Sequence, residues 1–588
     1  MAETDIGSPD PAAAFAAPRP QDVAAAAAVP PARAAEPERR AGIRRRWGGW
    51  LVLAIPAATS LVVGGYEIGG PSLWRDEAYT KDAIARPFGE IFPLLGHQDA
   101  VHGAYYLLMH VIATVTGTSA AALRLPSLFA MVIATGFTAA VGRRAAALAR
   151  PPDQADRAER GLDVPALTGL LSGLLFATAP YMTYYAQMAR SYAIETMFAV
   201  IATYLLLRAW PDGRWRWWLG YGAAVALTGL FNIFGLLILA AHGVTLLLSG
   251  ASSQAGARGQ AGRQPGTGRQ PGTGRPRGVG RRAGRIPLRW LAVSAAAVLV
   301  LGPLLGLASR QQTQIAWLSR PNLGAIVRLL TDFAGSRPLI VPFALLALGG
   351  LLAGWRADGW RPLNPAAVAL PWLVVPPSVL IAASFVKPVY YVRYIEFCLP
   401  ALAILAGAGL TGLIRLATIA PLGKLRLGGF RLGWLPAALV VALLAVLLAG
   451  PQQAMRQTAA RPDDLRLASA IVAAHEQPGD VVFYIPATMR VLGTGYPAPF
   501  GRLRDIARKQ SAIASATLTG TEVTNPAMLK GRFTDVRRVW VVTGASNYKF
   551  PVPSTAADRE KMALLAGAGM HILHRWQAGE VMLTLYGN

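Results

Sequence analysis

The 588-residue chain has a single cysteine, Cys398, set in an apolar run. One thiol forms no internal disulfide and supplies no cysteine-based metal site. Charge is also scarce: Asp, Glu, Lys and Arg make up 15% of residues, against about 25% in an average soluble chain. Acids are rarest, 31 against 57 Lys plus Arg. No apolar core follows a short basic start, so no signal peptide is read at the beginning. These shortages exclude a soluble enzyme, a disordered protein and a fibrous protein. In their place are repeated apolar runs of roughly 17 to 22 residues, the length of membrane-spanning helices. The runs are continuous rather than alternating, which argues against a β-barrel.

A net charge of +26 resembles a nucleic-acid footprint. Here the surplus Arg lies in short runs beside apolar segments, where membrane topology puts it, so no nucleic-acid partner is expected. Residues 1–46 are Ala/Pro-rich and read as a disordered cytoplasmic tail ending in Arg39, Arg40, Arg44, Arg45 and Arg46. A span follows from about Trp47 to Val63, and then a net-acidic loop at 67–124 that suits the outside. The basic loop holding Arg143, Arg144, Arg150, Arg157 and Arg160 suits the inside, so an odd number of spans separates the two. Of the intervening apolar segments, Leu125 to Val141 is the span. Val101 to Thr116, short and carrying His102 and His110, is expected as a juxtamembrane helix. Further spans are expected at 162–180, 193–209, 217–231, 233–249, 290–308, 338–355, 365–386, 394–413 and 434–450. The basic segment 251–289 is expected to be a disordered cytoplasmic loop. The expected architecture is a polytopic α-helical membrane protein of about 11 spans in the plasma membrane. Its transmembrane domain covers 47–450, and residues 451–588 form an extracytoplasmic α/β domain. In that domain a helix follows a cap at Asp463 or Asp464, VVFYIP and RVWVVTG are strands, and MHILHRW and EVMLTLY form a closing hairpin.

This topology collects the ionisable residues on the outer face. Asp76-Glu77 follows the first span. His102 and Tyr105 lie on the juxtamembrane helix. Gln187, Arg190 and Tyr192 lie between the third and fourth spans, and Arg393-Tyr394 follows the ninth. Adjacent carboxylates at a membrane interface repel each other and are desolvated, so one could take a proton from a hydroxyl. The guanidinium of Arg393 could grip a phosphate as a bidentate fork. Taken singly, these residues also fit helix capping, snorkelling and an aromatic belt.

In order along the chain, LWRDEAYT, QDAVHGAYYLLMH with ALRLPSLFA, APYMTYYAQMARSYAIE and YYVRYIEFCLPALAILA resemble the GT-C superfamily of membrane glycosyltransferases. The likeness is to protein O-mannosyltransferases, lipid A aminoarabinose transferases and actinobacterial mannosyltransferase-like proteins. It covers about residues 47–450 and implies a GT-C-like fold and a polyprenyl-phosphate-linked sugar donor. The reaction implied is an inverting transfer of a hexose, such as mannose, to a glycan, lipid or protein acceptor at the lipid bilayer. It makes Asp76 the general base, with Glu77 assisting. Arg393 and Tyr394 would bind the departing phosphate, and Arg190, Gln187, Tyr192, His102 and Tyr105 would bind phosphate or sugar. No protein metal site is implied, although a divalent cation, Mg or Mn, could lie near Asp76/Glu77. Where relatives carry His-Pro-Pro, this chain has Val101-His102-Gly103. A transporter or flippase of a lipid-linked precursor is the alternative, but such proteins place ionisable groups near the midplane.

Overall fold

The computed structural model describes residues 35–150, 163–261, 279–354, 363–419, 426–427, 430–431, 435–544 and 555–588. The chain divides into a short unit, Met1–Leu51, and a large one, Val52–Asn588.

The long apolar runs are helices: α1 (Ala35–Gly65), α5 (Ala120–Leu148), α6 (Val164–Thr178), α8 (Tyr192–Asp212), α9 (Trp215–Phe231), α10 (Ile238–Ala261), α11 (Val279–Val300), α14 (Ile340–Gly354), α15 (Pro365–Val386), α16 (Leu399–Ile419) and α17 (Leu435–Ala454). Short helices between them are α2 (Arg75–Ile84), α3 (Phe88–His97), α4 (Gly103–Thr116), α7 (Pro180–Ala186), α12 (Gly302–Arg310) and α13 (Leu323–Ala334). Among the described residues, five helices are long and apolar enough to cross a membrane, or seven if two bent pairs each count as one span. The bends are 62° before α7 and 48° before α12. In each, an imino acid in the first turn starts the new helix, where its missing N–H costs nothing. The segment expected as a juxtamembrane helix is one of the shorter apolar helices, Ala100–Thr116.

α1 begins at Ala35, where Glu and Arg favour helix and Pro37 falls in the first turn. Residues 1–34 lie outside the described residues. The basic segment 251–289 is helical at both edges, to Ala261 and from Val279. Residues 251–261 are Ala-rich and contain no proline. Residues 262–278 lie outside the described residues.

Small residues let the helices approach closely, the usual device where lipid removes the hydrophobic drive to associate. A Cβ on Gly169 would stand 2.7 Å from the Ala139 carbonyl oxygen, and one on Gly173 2.7 Å from Pro56. Gly350 and Gly409 bring α14 against α16 in the same way.

The C-terminal region holds a four-stranded sheet of β1 (Val481–Ile485), β2 (Arg538–Gly544), β3 (His571–Ala578) and β4 (Val581–Gly587), in the order β1-β2-β4-β3. β1 and β2 are parallel, and the other pairs are antiparallel. Alternate residues feed two cores. Val482, Tyr484, Trp540 and Val542 meet α18 (Leu465–His475) on one face. Phe483, Val539 and Val541 meet Leu565 of α19 (Ala556–Gly567) on the other. Asp464 caps α18 by accepting from the Leu467 N–H.

Asp463, by contrast, is fully buried and ties this domain to the first loop. Its carboxylate accepts from the Arg75 backbone N–H at 3.0 Å, from Nε at 2.8 Å and from Nη2 at 2.7 Å. Lys81 Nζ donates to the Gly495 carbonyl at 2.8 Å, and Arg466 donates to the carbonyls of Gly69 and Gly70. The domain thus clamps the loop that carries the acidic pair.

Candidate active site

α2 begins at Arg75, with Trp74 at the N-cap making no side-chain cap. Asp76 therefore sits in the first helical turn, where the helix dipole favours an anion. Its Oδ2 accepts a hydrogen bond from Arg393 Nη1 at 2.5 Å, joining residues 317 apart in sequence. The two side chains are 14% and 15% exposed. Around the Arg393 guanidinium stand the rings of Tyr391 at 4.5 Å, Trp317 and Tyr394 at 5.9 Å, and Trp74 at 6.0 Å. Burial opposes the charge on Arg393. Tyr192 and Asp76 outweigh it and hold the pKa above the ordinary arginine value. Tyr394 also stacks on Phe234, ring centres 4.8 Å apart.

Arg190 joins this centre from the other side of Asp76. Its Nη1 donates to the Asp76 carbonyl at 3.4 Å and to the Tyr106 hydroxyl at 3.3 Å, and its Nη2 lies 2.5 Å from His102 Nε2. The Tyr106 hydroxyl in turn donates to Asp99. Burial first, and the Arg190 cation second, push the His102 pKa well below its ordinary value. His102 is therefore a neutral imidazole that accepts from Arg190. Tyr192 packs edge-on to His102, with Tyr105 buried close by.

Glu77 faces elsewhere. Adjacent residues on a helix point about 100° apart, and Glu77 turns into the helix bundle, fully buried. Its Oε2 accepts from Arg124 Nη2 at 2.7 Å. Its Oε1 accepts from Arg124 Nε at 2.8 Å and from the Ala189 N–H at 2.9 Å. Arg124 also donates to the carbonyls of Ile68, Pro71 and Ser72. The repulsion expected between the two acids is thus relieved, because each has its own guanidinium. Gln187 is a brace too: its amide donates to the carbonyls of Gly64 at 2.9 Å and Tyr66 at 2.8 Å. Of the expected site residues, Asp76, Arg393, Tyr394, Arg190, His102 and Tyr192 are brought together. Glu77 and Gln187 hold the loops in place around them.

The sequence reading assigned no role to Arg124 or Trp317. The signal for Arg124 was a lone cation in an apolar run, which is costly unless paired. It also assigned none to Glu195 and Glu396, buried neighbours near the same end of α8 and α16. Asn232 Nδ2 donates to Glu195 Oε2 at 2.7 Å.

The divalent cation considered at Asp76/Glu77 does not fit these donors. Both Glu77 oxygens are committed to Arg124 and the Ala189 amide, and Asp76 is committed to Arg393. No second carboxylate is left for a metal to bridge.

Residues 164–255 match the family described as dolichyl-phosphate-mannose-protein mannosyltransferase. No curated protein sequence matches the chain. Among solved structures, ArnT from Cupriavidus metallidurans bound to undecaprenyl phosphate is similar at 14% identity with a TM-score of 0.51. The match covers 91% of this chain and 98% of that one. The Archaeoglobus fulgidus oligosaccharyltransferase in its apo form is more distant, at 12% identity and TM-score 0.43, covering 84% of this chain and 69% of that one. Arabinosyltransferase EmbB from Mycobacterium smegmatis is more distant still, at 14% identity and TM-score 0.35, covering 76% and 41%. The likeness to ArnT shows that this chain has that fold, with several helices long and apolar enough to cross a membrane and a C-terminal sheet domain.

Proposed function

We propose that the protein is an inverting glycosyltransferase. It moves a hexose from a polyprenyl-phosphate-linked donor to an acceptor hydroxyl at the extracytoplasmic face of the membrane. The observation that carries this reading is the Asp76–Arg393 contact inside its ring of aromatic side chains. An anionic base and a cationic phosphate seat, from loops far apart in the chain, meet at one point. ArnT, whose fold this chain shares, is bound to undecaprenyl phosphate in the matched structure.

The donor phosphate and Asp76 compete for one guanidinium. When the phosphate docks on Arg393, the ion pair opens and the Asp76 carboxylate is released toward the acceptor. Asp76 then takes the hydroxyl proton as the acceptor oxygen attacks the anomeric carbon. The bond from that carbon to the phosphate oxygen breaks in the same displacement, inverting the centre. Polyprenyl phosphate leaves as an anion, so cationic stabilisation matters more than a proton donor. Arg393 supplies that stabilisation, and neutral His102 keeps Arg190 aimed at the loop bearing Asp76. The Trp74, Trp317 and Tyr391 rings exclude water and suit a sugar face as well as a cation.

The test is incubation of purified protein with a radiolabelled polyprenyl-phosphate hexose and a membrane extract as acceptor. Label transferred to the extract by the wild-type protein, and not by Asp76→Asn, is the expected result. Label that crosses the bilayer of proteoliposomes unchanged, with none transferred, would establish the flippase reading instead.

A further inference from the structure

Two buried acids near Arg393 take no part in the transfer. Glu195 stands one turn after Tyr192 on α8, and Glu396 stands three residues after Arg393. They are 0% and 1% exposed. Their carboxyl groups lie in hydrogen-bond contact with each other. Asn232 donates to Glu195 Oε2. Glu195 Oε1 and both Glu396 oxygens receive no N–H or O–H from another group among the described residues. Two ionised carboxylates at contact distance and out of water repel each other, and both are desolvated. A proton on one of them removes a charge and supplies the missing O–H donor. The hydrogen bond between the two groups exists only with that proton in place.

The pair is built into the segment that carries Arg393. Asn232 also accepts from the Phe234 N–H at 3.1 Å, and Phe234 stacks on Tyr394. A Cβ on Gly235 would stand 2.7 Å from Glu195 Oε1, so this turn closes tightly over the acid. Arg393 and Glu396 lie in two consecutive 3₁₀ turns, Val392–Tyr394 and Glu396–Cys398. Such short turns hold few bonds of their own, so their anchors set their position. The groups that interact electrostatically with Glu396 are Glu195, the Arg393 guanidinium, Tyr185 of α7 and Cys398, and Cys398 also faces Glu195. Of these, Arg393 alone is a cation.

We infer that Glu195 and Glu396 share one proton, and that this shared proton fixes Arg393 at the point where it meets Asp76. The two acids are positioning residues, acting on the donor phosphate through Arg393. When the proton leaves to solvent, the second negative charge drives Glu396 away from Glu195, and the Arg393 segment moves with it. The shared proton stands apart from the transferase reading, whereas its effect on phosphate binding rests on the phosphate seat of that reading.

The experiment uses the full-length protein in detergent and two readouts. Infrared difference spectra between neutral and alkaline solution follow the C=O band of a protonated carboxyl group. The wild-type protein shows a band that disappears at alkaline pH. Glu195→Gln and Glu396→Gln each lack it, because the amide N–H supplies the hydrogen bond without a proton. Both substitutions keep the shape of the side chain, so the variants are expected to elute as the wild type does. Polyprenyl phosphate without a sugar is then titrated between pH 7 and 9, read by the fluorescence of the tryptophans around Arg393. Its phosphate ionises near about pH 6, so its own charge changes little across this window. Wild-type affinity falls by up to about tenfold per pH unit once the shared proton is lost, and both variants bind with a flat profile. A band that survives both substitutions, or is missing from the wild type, refutes the shared proton. An affinity equally pH-dependent in wild type and variants refutes the positioning of Arg393. Loss of the band as expected, with no phosphate binding by the wild type at any pH, strikes the phosphate seat of the proposed function and leaves the shared proton standing.

Discussion

Replacing Asp76 with Asn tests the proposed base, and the geometry makes the result two-sided. The change keeps size and shape but removes the negative charge and most proton affinity. If Asp76 is the general base, the transfer rate falls about 10²- to 10⁴-fold. In the resting protein, however, Asp76 also occupies Arg393 through the 2.5 Å contact. Removing the carboxylate frees the guanidinium, so donor phosphate no longer competes for it. The apparent KM for donor should therefore stay level or fall while kcat collapses, the pattern expected when a ground-state interaction is lost along with catalysis. The fold should survive. Arg393 keeps four aromatic neighbours within 6.0 Å, and the pair is partly exposed, so the lost ion pair costs about 1–2 kcal/mol, below the 3–5 of a fully buried one. Single-turnover transfer from labelled donor, measured over a range of donor concentration, reads both parameters. Retained kcat in Asp76→Asn would remove the base. A collapse of donor affinity with kcat untouched would show that Asp76 binds donor rather than the acceptor proton.

The remaining substitutions separate chemistry from support. Arg393→Lys keeps the charge but loses the planar fork and its ring stacking, and should lower kcat about 10²- to 10³-fold with an unchanged thermal midpoint; wild-type kinetics would dismiss the phosphate seat. Glu77→Gln should act on folding instead, because it leaves Arg124 charged and fully buried: a loss of about 3–5 kcal/mol is expected, read as lower detergent-solubilised yield and midpoint. Changing Glu77 and Arg124 together to apolar residues should not recover that loss, because the Ile68, Pro71 and Ser72 carbonyls and the Ala189 N–H then lose their partners. His102 carries a pH prediction. Its pKa is depressed in the fold, so below about pH 6.5 the unfolded chain takes up a proton that the native protein does not. Stability then falls as pH drops, by up to about 1.4 kcal/mol per pH unit for this one group, and His102→Gln should flatten the slope of midpoint against pH between 7 and 5. An unchanged slope would show that the His102 pKa is the same in the folded and the unfolded chain.

The clustering of ionisable and aromatic residues in a few polar stretches made one meeting point legible in the sequence. Asp76, Arg190 and Arg393 lie in polar stretches at span ends, and a charge there needs a partner, which the chain could only supply at the same face. What sequence left open was which acid meets which cation. Asp76 and Glu77 are neighbours of one kind, and only the start of α2 at Arg75 decides which of them turns toward Arg393. The partner of Glu77 was harder to see, because Arg124 stands in ALRLPSLFA with nothing nearby to mark it. The division between binding and bracing was equally hidden: Gln187 has the donors of a sugar ligand but spends them on two carbonyls.

The contrast between Arg124, fully buried, and Arg393, partly exposed, explains why this arrangement separates stability from catalysis. Arg124 is enclosed and fully matched: two carboxylate oxygens and three backbone carbonyls take its donors. Nothing is left over to offer a ligand, so its energy goes into holding the Asp76 loop against α5. Arg393 is matched by one carboxylate and by rings, and its Nε is buried without a partner among the described residues. A cation satisfied mainly by π faces and a single exchangeable anion can accept phosphate at modest cost, because the rings stay in place when the anion changes. A double-mutant comparison decides whether this division holds. Asp76→Asn and Arg393→Lys should be strongly non-additive in kcat, since they disrupt one unit, whereas Asp76→Asn and a conservative change at Gln187 should add. Additivity within the first pair would mean that the two side chains touch in the resting protein but act in separate steps.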